Sequence, residues 1–334
     1  MKNTVIIAEI GVNHNGDIDL AKELINAAAN AGADIVKFQT FKANLLVTQV
    51  AKKAEYQKKY TDSNESQYSM LKRLELTPGQ HQELINYCNE KGVEFLSSAF
   101  DENSVRLLSS FNLKRFKIPS GEITNLPLLR QVGKLGKPII MSTGMADLDE
   151  IKEAVYVLEM SGTSLDDLTL LHCTSQYPAP VKDLNLLAMQ TLSREFRVSV
   201  GYSDHSLGIH IPIAAAALGA TVIEKHLTLD VNLEGPDHKA SLEPDQFQQM
   251  VKAIQNINQA LGDGVKRPSD SEAENIIAVR KSIVAAIPIR LGEIFSYKNL
   301  TSKRPGTGLS PMNIEGLIGK ASSRDYAKDE LINW

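Results

Sequence analysis

Residues 197–228 read RVSVGYSDHSLGIHIPIAAAALGATVIEKHLT, and their pattern decides the fold. The flanks, RVSVGYSDH and TVIEKHLT, are short runs rich in β-branched and apolar residues, as strands are. Between them, IHIPIAAAALGA is small, apolar and closed by glycine, which suits a helix. Strand, helix and strand in so short a span predict a βαβ unit with parallel strands. Each strand gives way to a loop at a histidine, His205 and His226. In a closed β/α barrel the carboxyl ends of neighbouring strands share one mouth, so two imidazoles placed this way can hold one divalent metal.

The same alternation extends over most of the chain. Strand-like runs begin at Thr4, Ala33, Val93, Arg115, Pro138 and Leu168, ahead of those at Arg197 and Thr221. Helix patterns such as LAKELINAAANAG (20–32) and LDEIKEAVYVLEMSG (148–162) separate them, apolar at three- and four-residue spacing. Eight units over about 260 residues predict an α/β fold of the (β/α)8 TIM-barrel type, with an open doubly wound sheet as the alternative. The stretch from Phe41 to about Thr77, rich in Lys, Gln and Ser, exceeds ordinary loop length and reads as a lid or an interface element. After Leu261 the polar run GDGVKRPSDSEAEN reads as a linker, and from about residue 280 short β-like runs and turns signal a second, small domain. The expected division is a catalytic barrel over 1–262, a linker over 263–279 and a β-rich domain over 280–334.

Composition excludes several classes. With 334 residues, 43% hydrophobic and 23% charged, the chain can bury a full core. Its net charge of −4 suggests neither a nucleic-acid nor an anionic-membrane partner. The apolar run of MKNTVIIAEIG is too short for a signal peptide or a span, and Cys88 and Cys173 read as reduced core residues, so a cytoplasmic location is expected.

Side-chain alternation then selects the mouth. On the first strand Glu9 shares the inward face with Val5 and Ile7. A carboxylate there is costly unless it meets a hydroxyl, a metal or a cation. The next strands bring Lys37 and Gln39, then Ser98, then Lys117, Ser120 and Glu122, then Ser142 and Thr143. Two lysines, several hydroxyls and glycine-containing turns suit a phosphate monoester with a neighbouring carboxylate. Either lysine could instead be a Schiff-base nucleophile or a salt-bridged scaffold residue. The last three strands add Ser175 and Tyr177, Ser203 and His205, and Glu224 and His226, with Asp237 on the final loop. Glu224 could orient a ligand or merely close a barrel layer, and Lys225 lies on the opposite face. Two histidines are too few for a closed zinc site; the remaining positions would be water and substrate oxygens, which suits Mn²⁺ or Mg²⁺, with Co²⁺ also fitting.

The motifs AEIGVNHNGD, VKFQTFK, KIPSGE, STGM, HCTSQYPAP, GYSDHSLG, IEKHLTLD, GPDH and KRPGTGLSP occur here in one order. In that order the chain resembles the bacterial sialic acid (N-acetylneuraminate) synthases over nearly its whole length. The resemblance implies a TIM barrel followed by a C-terminal SAF domain similar to type III antifreeze proteins. It implies a phosphoenolpyruvate-dependent transferase that condenses phosphoenolpyruvate with an open-chain N-acylated mannosamine-type sugar and water, releasing phosphate by C–O cleavage. Carried over by motif, His205 and His226 would be the metal ligands. Lys37, Ser98, Lys117, Ser120, Ser142, Ser175 and Ser203 would bind phosphoenolpyruvate. Glu9, Gln39, Glu122, Tyr177 and Asp237 would meet the sugar, together with Arg304 of the SAF domain. Glu122 is the expected proton-transfer group and Glu9 the group that orients hydroxyls. The family also implies a domain-swapped homodimer. The chain departs at Ser175, where several sialic acid synthases carry Asn or Thr. N-acetylmannosamine is the expected sugar; a legionaminic or pseudaminic acid synthase, using a 2,4-diacetamido-trideoxyhexose, is the alternative. A Schiff-base aldolase and a non-enzymatic carbohydrate-binding protein are more distant readings.

Overall fold

The computed structural model describes residues 4–62 and 65–333. Eight strands, β1 (Val5–Gly11), β2 (Ile35–Thr40), β3 (Glu94–Ala99), β4 (Phe116–Ile118), β5 (Ile139–Ser142), β6 (Leu168–Cys173), β7 (Ser199–Asp204) and β8 (Val222–His226), pair in parallel in chain order. β8 pairs back onto β1, so the sheet closes into a barrel and the open-sheet alternative is excluded. Capped helices connect the strands. Asp17 accepts from the backbone amides of Asp19 and Leu20 at the start of helix Ile18–Asn30, and Asp147 with Glu150 forms a capping box on helix Leu148–Ser161.

The period of two along each strand builds two cores. Outward residues such as Ala8, Val36, Phe38, Phe95, Met141, Leu170, Tyr202 and Ile223 pack against the helices. Inward residues Ile7, Ile35, Leu96, Ile140, Leu171 and Val222 form a separate layer inside the barrel. β7 contributes Gly201 to this level because nothing larger fits: a Cβ there would lie 2.4 Å from the Val222 carbonyl oxygen and 2.7 Å from Leu171 Cδ2. Two residues further along β1, β2, β3, β5, β7 and β8, the inward positions turn polar, at Glu9, Lys37, Ser98, Ser142, Ser203 and Glu224. That step from apolar floor to polar mouth positions the site.

The long stretch after β2 is ordered into short helices, Ala43–Leu46, Glu55–Tyr60 and Gln67–Leu74. Val12, Phe41, Met70 and Leu74 form a small core of their own, with Leu46, Leu71 and Phe100 packed on it. Buried Lys53 ties the segment internally, donating to Thr61 Oγ1 (3.0 Å), the Asp62 carbonyl (2.9 Å) and Glu65 Oε2 (3.1 Å).

The chain divides into two compact units, Met1–Asp263 and Gly264–Trp334. The second contains an antiparallel pair, β9 (Ser282–Ala285) and β10 (Leu300–Lys303), around Ile283, Ile289, Phe295, Leu300, Leu317, Tyr326 and Ile332. Part of the stretch that reads as linker is folded: a capping box of Ser269 and Glu272 precedes helix Ala273–Val279. That helix is bonded to the small unit through Gly306 N to the Ile277 carbonyl and Arg304 Nε to the Val279 carbonyl. Among the described residues no helix is long and apolar enough to cross a membrane.

Candidate active site

The polar level of the barrel is a buried charge cluster. Glu9 forms an ion pair with Lys37 and accepts from Gln39 Nε2 at 3.3 Å. Lys37 donates to Ser98 Oγ at 3.1 Å, and Lys117 donates to Ser142 Oγ at 2.5 Å. Glu224 joins the two halves: it lies 3.8 Å from each lysine ammonium and accepts from Ser203 Oγ at 3.0 Å. Strand register explains the convergence, since Glu9 pairs with Lys37, Gln39 with Ser98, Ser98 with Lys117 and Ser203 with Glu224. Each charged member is at most 5% exposed, so the charges interact in a poorly screened environment.

The two carboxylates respond differently. Burial raises Glu224, but Lys117 and Lys37 outweigh it and hold the group below the usual carboxylate range. Burial pushes Glu9 up to about 7, opposed by Lys37 and reinforced by the charge of Glu224. The lysines differ too. Burial lowers Lys117, whereas for Lys37 the pull of Glu224 and Glu9 exceeds the burial effect and raises it.

Around this floor stand the remaining groups. Gly144 N donates to Ser120 Oγ at 3.0 Å, and Ser120 Oγ lies 3.2 Å from Cys173 Sγ. A Cβ at Gly144 would fall 2.3 Å from Ser175 Oγ, so glycine is what lets three strand ends crowd together here. Glu122 accepts from Asn125 Nδ2 at 2.6 Å; burial raises its carboxyl and that bond opposes the rise. Burial likewise pushes Asp237 up to about 6.

His205 and His226 lie with ring centroids 5.5 Å apart, and Tyr177 covers His205 at 4.1 Å. The Thr174 carbonyl accepts from His205 Nδ1 at 2.7 Å, which fixes the tautomer with its lone pair on Nε2. His226 Nδ1 is buried without a hydrogen-bond partner among the described residues. Burial keeps both rings neutral by lowering their pKa, His226 further because His205 is beside it. Two adjacent neutral imidazoles, one with an oriented free nitrogen and one with an orphaned nitrogen, fit a shared divalent ion. No cluster of three or more His, Cys, Asp or Glu side chains arranged for a metal occurs among the described residues, so such an ion would take its other ligands from substrate and water.

The fourteen barrel residues that the family resemblance assigns to the site all line one cavity of about 450 Å³ at the carboxyl ends of the strands, as Glu224 does, whereas Thr143 turns away and donates to the Leu171 carbonyl. A second cleft, of about 610 Å³, opens at the opposite end, beside Arg197, Ser199 and Thr221, but it contains none of the buried ionisable cluster. Arg304 belongs to the small unit, where it is exposed. Sequence reasoning gave Glu224 too small a part: its strand spacing from His226 was visible, but not its contact with both lysines. It also missed Cys173 as a lining residue and the apolar contribution of Phe41, Leu46, Met70 and Leu71.

A closed barrel whose carboxyl-end mouth gathers two lysines, two carboxylates, serine hydroxyls and a histidine pair defines an enzyme that handles an anionic substrate. Residues 24–266 match the NeuB family and residues 280–334 the SAF domain. The chain is 56% identical over 332 residues to N,N'-diacetyllegionaminic acid synthase of Campylobacter jejuni, covering 99% of each. It is 48% identical over 331 residues to the enzyme of the same name from Legionella pneumophila, covering 98% of this chain and 93% of the other. Among solved structures it is similar to N-acetylneuraminic acid (sialic acid) synthetase from Leptospira borgpetersenii, with a TM-score of 0.72 and 34% identity over 82% of this chain and 90% of that one. The chain belongs to the NeuB family, and it is a transferase of the sialic-acid-synthase type that uses phosphoenolpyruvate.

Proposed function

We propose that this chain is an N,N'-diacetyllegionaminic acid synthase, condensing phosphoenolpyruvate with a 2,4-diacetamido-2,4,6-trideoxyhexose and water and releasing phosphate. The observation that carries this reading is the 56% identity, end to end, with the Campylobacter jejuni protein of that name. It displaces N-acetylmannosamine as the leading sugar. The likeness to a sialic acid synthetase at 34% identity supports N-acetylmannosamine as the second reading.

The cluster's chemistry suits the reaction. Lys37 and Lys117 offer two ammonium groups, and Ser98, Ser120, Ser142 and Ser203 offer hydroxyls, to the phosphate and carboxylate of phosphoenolpyruvate. The enol carbon C3 attacks the sugar aldehyde, and positive character develops at C2. Water then adds to C2, and the tetrahedral centre collapses by breaking the C–O bond to phosphate. Glu224, held ionised between the two lysines, would stabilise positive charge developing at C2. Glu9, pushed up to about 7 by burial, is matched to accept and return a proton, and the carboxyl of Glu122, also raised by burial, is the other candidate for that role. A divalent cation held by His205 and His226, Mn²⁺ by ligand type, would supply Lewis-acid polarisation of the aldehyde. Tyr177, Gln39 and Asp237 also line the cavity, and in this proposal they meet the sugar. Assembly as a homodimer, with Arg304 contributing to sugar binding, is part of the proposal.

The test is phosphate release from phosphoenolpyruvate with a divalent cation and three sugars: the 2,4-diacetamido-2,4,6-trideoxy substrates of legionaminic and pseudaminic acid synthesis, and N-acetylmannosamine. The largest kcat/KM is expected with the legionaminic precursor. A larger value with either other sugar would reject the assignment.

A further inference from the structure

We infer that the segment after β2 sets sugar specificity: Leu46 and Leu71, backed by Phe41, Met70 and Phe100, form an apolar wall that receives the methyl-bearing end of a 2,4-diacetamido-2,4,6-trideoxyhexose. This rests on the substrate reading above. The cavity is divided chemically. Its floor is the buried cluster of Glu9, Lys37, Lys117 and Glu224, while its other wall comes from the helices Ala43–Leu46 and Gln67–Leu74.

Phe41 and Met70 are 2% and 0% exposed and belong to a core distinct from that of the barrel. Phe41 meets Phe100 edge-on at 6.1 Å. Leu46 and Leu71 pack on this core but remain half-buried, bordering the cavity. Since the charged floor suits the acid substrate, the apolar wall is left to the sugar. Gln57 and Gln67 border the same cavity, with Gln67 Nε2 3.4 Å from Gln57 Oε1; their amides can exchange hydrogen bonds with an acetamido group.

The competing sugars differ where this wall would act. The trideoxy sugar presents a methyl at C6 and a second acetamido group at C4. N-acetylmannosamine carries hydroxyls at both carbons. An apolar pocket separates ligands that differ by one such group by roughly 10–200-fold. Because the wall is built from a segment outside the barrel strands, it can be altered without disturbing the charged floor.

The test uses the full chain with Leu71→Asn and Leu46→Asn, measuring kcat/KM for both sugars and KM for phosphoenolpyruvate. The two residues sit on separate helices and are half-buried, so each variant tests the wall independently. The expected result is a loss of about tenfold or more in preference for the trideoxy sugar. KM for phosphoenolpyruvate should be unchanged, and Leu71→Met should retain the preference. A wild-type preference for the trideoxy sugar that both folded variants keep would overturn this inference alone. A wild-type preference for N-acetylmannosamine would overturn the substrate reading, and this inference with it.

Discussion

Glu224 Oε2 lies 3.8 Å from Lys117 Nζ, with both side chains buried, so the carboxylate balances a charge that also suits an anionic ligand. Lys37 lies at the same distance from the other carboxylate oxygen. Removing one partner of a buried pair typically costs about 3–5 kcal/mol, because the other is left uncompensated. Glu224→Gln should therefore lower the thermal midpoint of the free enzyme. Phosphoenolpyruvate should raise the midpoint more in the variant than in wild type, since its charge replaces the missing one. Equal ligand-induced shifts in the two proteins would separate Glu224 from the anion site.

Lys117→Met removes an ammonium that reaches Ser142 Oγ at the cavity floor. A hydrogen bond to a charged group contributes about 1.5–3 kcal/mol, or roughly 10–100-fold in binding. KM for phosphoenolpyruvate should rise by about that factor, with a much smaller change in KM for the sugar. Steady-state kinetics with each substrate varied in turn decides this. A larger effect on the sugar would place the two subsites the other way round.

His205→Ala and His226→Ala should each lose bound divalent metal on dialysis, and turnover with it, while far-UV circular dichroism stays that of wild type. Both rings border the cavity, so truncation opens onto space that is already accessible. Metal content measured by elemental analysis gives a readout independent of activity. Full retention of metal by both variants would remove the histidine pair from the cation site.

Much of this site was legible because strand alternation is a local rule. Ile7 to Glu9, Ile35 to Lys37 and Val222 to Glu224 each step from floor to mouth within two residues, and that can be read from sequence alone. Register across strands cannot. That Glu224 accepts from Ser203 and reaches both lysines depends on how far neighbouring strands are staggered, which no single strand encodes. The segment after β2 was hidden for another reason: its Lys, Gln and Ser content masks a small apolar core made from residues as distant as Val12, Phe41 and Met70. Helix Ala273–Val279 escaped because polar composition outweighed its capping box in the reading.

Asp237 gives a pH dependence whose sign follows from its burial. Its carboxyl moves from 3.8 up to about 6 on folding, with Lys37 opposing the rise. Between those values the folded protein binds a proton that the unfolded chain does not, so this group's contribution falls as pH rises through the window. Above it, the buried carboxylate costs up to about 3 kcal/mol. Asp237→Asn should therefore raise the thermal midpoint of the ligand-free enzyme near pH 8, and the gain should shrink towards about pH 4. A variant less stable than wild type at the higher pH would show that the carboxylate is compensated in the fold.

An ion pair outside the cavity holds a residue inside it. Lys225 points away from the barrel interior and is fully buried, 2.5 Å from Asp204 Oδ2 and bonded also to the Ser206 carbonyl. Asp204 Oδ1 in turn accepts from Ser206 N at 3.0 Å. His205 lies between these two residues, so the pair fixes the backbone on both sides of it, while the Thr174 carbonyl fixes its ring. Lys225→Met leaves Asp204 buried and unbalanced and should destabilise the protein by about 3–5 kcal/mol. Adding Asp204→Asn removes the stranded charge, so the double variant should recover part of that loss instead of accumulating a second one. Denaturant unfolding of wild type, both single variants and the double variant measures the coupling. Losses that simply add would mean that the two groups act independently and that the loop carrying His205 is held by its backbone bonds alone.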